Sequence, residues 1–231
     1  MKMKKVVLAS LVMMAIFPMN GMAQSFDVDV HAGANLSGFA SGKDFTAQDK
    51  KMKAGASLGV GLSYETKGKI VLSSGLDVLM TGGKFMGVSN YYSVGDKGPA
   101  IDFPMVNSRE IALQIPLKVG YDFTLGKKWN FIPSVGVYGR YSIASLKQNV
   151  TAKTGENATT TFKRDCFVNY SNNVVRLDAY KRWDVGAMVE AKFMYDKHYS
   201  FALGYSRGFV DKSSQYGFKN HSWYLTLGYT L

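Results

Sequence analysis

Residues 111–123, IALQIPLKVGYDF, alternate along their whole length. Ile111, Leu113, Ile115, Leu117, Val119, Tyr121 and Phe123 are apolar, while Ala112, Gln114, Pro116, Lys118, Gly120 and Asp122 are polar or small. A period of two predicts a strand with two chemically different faces. Seven other stretches repeat it: SFDVDVHAGANLS (25–37), AGASLGVGLSYE (54–65), IVLSSGLDVLMTGG (70–83), NFIPSVGVYGRYSI (130–143), RWDVGAMVEAKFMY (182–195), YSFALGYSRGF (199–209) and SWYLTLGYTL (222–231). Val71 and Leu79 blur the third stretch, and Arg207 breaks register in the seventh. Each segment is about ten residues long, the length a tilted strand needs to cross a bilayer.

The connections alternate in length. ETKGK, TLGKKW and YDKHY are tight turns, whereas residues 39–53, 86–109, 147–178 and 210–219 form long links. This rhythm predicts an all-β fold, an eight-stranded antiparallel transmembrane β-barrel with short periplasmic turns and long extracellular loops. Glycine supports it. Gly33, Gly59, Gly61, Gly75, Gly120, Gly136, Gly186, Gly204 and Gly228 all fall on the polar face. An eight-stranded barrel has little interior room, so small residues there leave space for larger polar ones. The face carrying Lys118 therefore points into the lumen. Reversing the strand would set Lys118 against lipid, at a cost of about 2–4 kcal/mol at mid-bilayer depth. Pro116 removes one ladder hydrogen bond and is read as a local register defect.

Composition adds a compartment. Hydrophobic residues make up 46% of the 231, and no later segment is long and apolar enough for a spanning helix. The chain opens with Lys2, Lys4 and Lys5, then VVLASLVMMAIF, Pro18, Gly21 and Ala23. That order is read as a secretory signal peptide over residues 1–23, leaving 24–231 as one outer-membrane barrel domain. The precursor's net charge of +11 falls to +8 without the three lysines of that segment. Export argues against nucleic acid as the partner of this basic chain and favours anionic lipid head groups. Cys166 is the single cysteine, which excludes an intramolecular disulfide and a cysteine-based metal cluster.

Five pieces in order, VHAGANLSGF, GLDVLMTGGKF, LQIPLKVGYDF, RWDVGAMVEAKF and NHSWYLTLGYTL, resemble the PorT-like outer-membrane β-barrel family. The resemblance runs from about residue 25 to the end. It implies an outer-membrane barrel and little about activity, since most members have no assigned one and a few are tied to protein secretion.

The polar face collects Asp27, Asp29, His31, Glu65, Asp77, Glu110, Lys118, Asp122, Arg140, Asp184, Glu190 and Lys192. Paired carboxylates can do acid–base work. No nucleophile accompanies them, and they are read as a structural ionic network filling a narrow lumen. His31, His198 and His221 have no metal-site spacing, and no motif requires a cofactor. The outer links carry Lys43, Lys50, Lys51, Lys53, Lys163, Arg164 and Arg176, positions suited to lipopolysaccharide phosphates or simply to solvent. Cys166 lies in the longest link, expected outside the cell and open to labelling; Lys163 and Arg164 favour its thiolate, Asp165 opposes them, and shielding by Phe162 and Phe167 is the alternative. The leading expectation is a non-enzymatic bacterial outer-membrane protein with an envelope role or a protein partner held by its loops. A component of a secretion apparatus and a lipid-modifying enzyme are the alternatives.

Overall fold

The computed structural model describes residues 25–40, 49–89, 101–146, 148–154, 158–171, 176–213 and 217–231. The strands are β1 (Ser25–Ala40), β2 (Asp49–Glu65), β3 (Ile70–Ser89), β4 (Ile101–Tyr121), β5 (Phe123–Thr124), β6 (Trp129–Ser145), β7 (Gln148–Thr154), β8 (Ala158–Arg164), β9 (Tyr170–Ser171), β10 (Arg176–Leu177), β11 (Trp183–Tyr195), β12 (Tyr199–Gly208) and β13 (Lys219–Thr230). Eight of them close a barrel in the order β6-β11-β12-β13-β1-β2-β3-β4, with β4 pairing back onto β6. Every barrel pair is antiparallel. Closure leaves no sheet edge to be satisfied in lipid, which is what a membrane-spanning sheet requires. The expected segments 1–23 and Lys43 lie outside the described residues.

The alternation sorts side chains as the pattern requires. Val30, Leu58, Val78, Leu117, Val135, Val189, Leu203 and Leu227 stand exposed on the outer wall. Asp29, Gln114, Arg140 and Asp184 are buried on the other side. In water so many exposed large apolar side chains would be an aggregation hazard; in a bilayer they are the solvated surface. Val71 and Leu79, which blurred the pattern, are inward-facing and line the interior cavity.

Aromatic pairs mark one border of the apolar band. Phe26–Tyr64, Phe131–Phe193 and Trp129–Tyr195 meet in tilted pairs at 4.8–4.9 Å beside the short turns, with Tyr199–Tyr229 edge-on at 5.4 Å. Ten residues along β6 and β11 from the Phe131–Phe193 pair lies the Tyr141–Trp183 pair. At about 3.4 Å per residue and a tilt of about 40°, that spans roughly 25 Å, the height of a barrel's lipid-facing band.

The short turns, 66–69, 122–128 and 196–198, gather at one end, together with Ser25 and Leu231; this is the turn end. Lys69, Asp196, Lys197 and Gly126 take positive φ there to reverse the chain tightly. The opposite, loop end departs from expectation. Strands were read as about ten residues, yet β2, β3 and β4 run for 17, 20 and 21. Within the links 39–53 and 86–109, residues 39–40, 49–53, 86–89 and 101–109 are therefore strand. Ladder pairing continues above the apolar band, where no apolar stripe is needed and the sequence loses its alternation. The link 147–178 likewise contains the β7–β8 hairpin, which extends β4 beyond β6.

Pro116 sits where the β3–β4 ladder skips Gly75 and Leu76. The Ser74 hydroxyl donates to the Pro116 carbonyl at 3.0 Å.

Candidate functional site

Two polar assemblies occupy the barrel: a chain of ionic contacts along the lumen and a packed plug at the loop end. In the lumen, alternation on five strands aims side chains at one axis. Lys192 Nζ lies 3.8 Å from Asp29 Oδ2, and His31 bridges Asp29 (2.8 Å) and Asp77 (2.9 Å) through its two ring nitrogens. Gln114 Nε2 donates to Asp77 Oδ2 at 3.5 Å, and Arg140 donates to Gln114 Oε1 through Nε (3.1 Å) and Nη2 (2.6 Å). Six side chains from β11, β1, β3, β4 and β6 thus form one continuous line. A second group joins Lys118 Nζ to Glu190 Oε1 at 2.6 Å, with the Tyr224 hydroxyl donating to Glu190 Oε2 at 3.1 Å.

Glycine makes the line fit. A Cβ on Gly59 would strike both His31 Nε2 and Asp77 Oδ1, and one on Gly204 would strike the Tyr224 ring. The lumen keeps a cavity of about 210 Å³, bordered by Asp27, Glu65 and Lys197 towards the turn end and by Asn35, Ser57 and Thr81 towards the loop end. Asn35 Oδ1 and Ser57 Oγ are buried beside it without a hydrogen-bond partner among the described residues, as groups facing water would be.

The remaining sequence-selected residues fall elsewhere. Asp122 accepts two 2.8 Å bonds from Asn130 near the turns. Asp27 and Glu65 border the same end of the cavity. Asp184, opposite Arg140 in the ladder, accepts instead from Asn220 (2.8 Å) and Tyr138 (3.3 Å). Glu110 leaves the lumen line altogether and belongs to the plug.

The plug is built from the link after β12, the stretch after β8 and the end of β1. Lys212 folds back into the mouth, where its Nζ meets Glu110 at 2.9 and 3.0 Å, Ser142 Oγ at 3.2 Å and the Lys181 carbonyl at 3.3 Å. Both side chains are almost fully buried, 1% and 3% exposed. Above them Phe39, Cys166, Phe167, Tyr180 and Phe218 pack together. Phe39 and Phe218 meet edge-on at 4.8 Å, as do Tyr180 and Phe218 at 5.2 Å.

Two expectations are corrected here. Cys166 is buried, with Sγ 3.2 Å from Ser145 Oγ, and burial pushes its thiol up to about 11. Lys163 and Arg164 therefore do not yield an exposed thiolate. Arg164, expected to face lipid phosphates or solvent, is buried against Gln148 (2.5 Å) and lies over the Tyr180 ring. In the 210–219 link, Lys212 and Ser213 fold inside the mouth. Sequence reasoning missed Lys212 because a loop lysine reads as solvated. The unpaired Glu110 at the top of β4 was the one available signal for a buried cation.

A family model for the outer membrane protein beta-barrel domain matches residues 9–230. The chain belongs to this family. It is a bacterial outer-membrane barrel. Among solved structures it is similar to the attachment invasion locus protein Ail of Yersinia pestis, crystallised with the heparin analogue sucrose octasulfate, at 11% identity over 90% of this chain and 99% of that one, with a TM-score of 0.39. It is also similar to OprG from Pseudomonas aeruginosa, at 12% identity, 90% and 97% coverage and a TM-score of 0.41. Neisserial surface protein A gives 12% identity, 91% and 100% coverage and a TM-score of 0.40. No curated protein matches the chain by sequence.

Proposed function

We propose that this family member is a non-enzymatic envelope protein: a sealed barrel that serves as a scaffold and presents its loop end, facing out of the cell, to lipopolysaccharide and to a protein partner. In this reading residues 1–23 are a signal peptide removed on export, and the lumen line from Lys192 to Arg140 rigidifies the wall. The observation that carries it is the buried Lys212–Glu110 pair beneath the Phe39–Phe218 cluster. A charge pair with almost no solvent exposure holds only in one geometry, because removing either partner strands a buried charge. The mouth is therefore a fixed surface and the lumen below it a blind cavity.

A hydrolase reading finds little support. Both His31 nitrogens are taken by carboxylates, and His198 Nδ1 lies 3.1 Å from the Thr230 carbonyl at the turn end. No histidine bonds a serine hydroxyl among the described residues. A role in a secretion apparatus is the second reading, and the five PorT-like motifs favour it.

Planar-bilayer recordings test the sealed scaffold. The folded protein is expected to give no steady conductance, and Lys212→Met is expected to give intermittent openings. Stable, uniform current steps from the unaltered protein would identify a pore and defeat the reading. The proteins cross-linked to it in intact cells would then separate a secretion assembly from another partner.

A further inference from the structure

The β2–β3 ladder breaks between Met52 and Ser57, and the break re-aims two cations. Bulges of this kind leave backbone groups without their ladder partners and redirect neighbouring side chains. The Ser37 hydroxyl takes over both groups of Gly82, accepting from its N–H at 2.9 Å and donating to its carbonyl at 3.0 Å. Arg109 Nη2 reaches from β4 across β3 to the Ala54 carbonyl, at 3.3 Å. Lys53 Nζ reaches the other way, to Asn107 Oδ1 at 2.5 Å. Gly82 and Gly83 have no side chains to obstruct either crossing. Lys84 stands opposite Asn107 in the same ladder. Lys53 lies within electrostatic range of both Arg109 and Lys84.

Three positive charges are thus gathered at one place, and no carboxylate pairs with any of them among the described residues. Beyond the Ala54 bond, the Arg109 guanidinium has no partner among those residues. Like charges held together without a counter-ion repel, and an anion seated among them relieves that repulsion.

Height identifies the anion. Ten residues above the turn-end aromatic border the outer wall carries Ala54 (from Tyr64), Ile111 (from Tyr121) and Tyr141 (from Phe131), and beyond them, among the described residues, only Met52, Ile143 and Leu146 are exposed large apolar residues on β2 and β6 and just after it. Lys53 and Arg109 lie one and two residues further towards the loop end than Ala54 and Ile111. Arg109 and Lys84 prolong the outward rows that contain Ile111 and Met80. The three cations thus stand at the rim of the apolar band, the height at which a barrel wall meets lipid head groups.

We infer that Lys53, Lys84 and Arg109 form a clamp on the outer wall for a phosphate group carried by a membrane glycolipid such as lipid A. Guanidinium and ammonium donors bind phosphate by charge-assisted hydrogen bonds, and an arginine with free N–H groups can do so bidentately. The clamp deepens the lipopolysaccharide reading above by naming its residues and the group they hold.

The test uses the folded full barrel in phosphatidylcholine vesicles titrated with fluorescent diphosphorylated lipid A. The readout is independent of conductance and of the direction of insertion, so it can fail while the sealed-scaffold reading stands. At about fivefold per surface cation, Arg109→Gln with Lys84→Gln is expected to weaken binding by about 25-fold. Lys127→Gln with Lys128→Gln, an equal charge loss at the turn end, is expected to change it less than about threefold. Lys84→Gln alone breaks no hydrogen bond in the described structure; it is expected to weaken binding about fivefold and covers the case in which the double variant does not fold. Unchanged binding in the folded Arg109/Lys84 or Lys84 variants would overturn the clamp. So would an equal loss in the turn-end control, which would mean unspecific charge attraction. Displacement of lipid A by excess inorganic phosphate would overturn the lipid assignment in favour of a free anion.

Discussion

Lys212–Glu110 and Lys118–Glu190 are the same pair of residue types in two different solvents. The lumen pair is the shorter, 2.6 Å against 2.9 Å, yet it stands beside a cavity and keeps 16% and 8% exposure. The plug pair keeps 1% and 3%. Coulomb energy scales with the inverse of the local dielectric constant as well as of distance, so surroundings decide which pair constrains the fold more. The plug pair fixes where a whole loop sits. The lumen pair helps fill a wall that its ladders already hold.

That contrast can be broken by removing one lysine from each site. Lys212→Met leaves Glu110 buried and uncompensated, and is expected to cost about 3–5 kcal/mol in urea unfolding followed by tryptophan fluorescence. Adding Glu110→Gln should recover most of the loss, since no buried charge then remains. A loss that persists in the double variant would mean that packing, not charge, holds the plug.

A third solvent lies one residue from Lys118. Leu117 is 52% exposed on the outer wall. Leu117→Lys is expected to cost about 2–4 kcal/mol, seen as a lower fraction of folded barrel in unheated gels. The smallest of the three effects is expected for Lys118→Leu, about 1–2 kcal/mol, because cavity water and the Tyr224 hydroxyl remain available to Glu190. If Lys118→Leu proved as damaging as Lys212→Met, the lumen would be as dry as the plug.

The same contrast separates what could be read in the sequence from what could not. Strands facing lipid need an apolar outward row, so IALQIPLKVGYDF and its seven counterparts disclose eight strands and their facing, even where Val71, Leu79 and Arg207 interrupt the alternation. The polar rows disclose which residues enter the lumen, including Asp29, His31, Asp77, Lys118 and Glu190. They do not disclose partners. Asp184 pairs by register with Arg140 but bonds Asn220 and Tyr138, because Arg140 turns to Gln114. Above the apolar band nothing forces alternation, so the added strand length of β2, β3 and β4 left no periodic signal. The plug depends on contacts between distant segments, Phe39 with Phe218 and Glu110 with Lys212, and neither local composition nor spacing encodes them. A cysteine flanked by Lys163 and Arg164 looks reactive only while its own burial is unknown.

Cys166 gives the plug its own pH dependence. A thiol whose pKa is raised by folding stabilises the folded state below the ordinary value of about 8.5, and that contribution is lost as pH rises through about 11. The plug is therefore expected to loosen first in that alkaline window, detected as a rise in labelling before the wall unfolds.

The most direct test of a packed, sealed loop end is the rate at which a membrane-impermeant maleimide labels Cys166, the only cysteine, at pH 8 in the folded barrel and after denaturation. Burial and the raised pKa together are expected to slow the folded protein by about a hundredfold or more. The Cys166→Ser variant supplies the background, and Lys212→Met should move the folded rate towards the denatured one. Labelling of the unaltered folded barrel as fast as the denatured chain would contradict a packed plug and leave the mouth open.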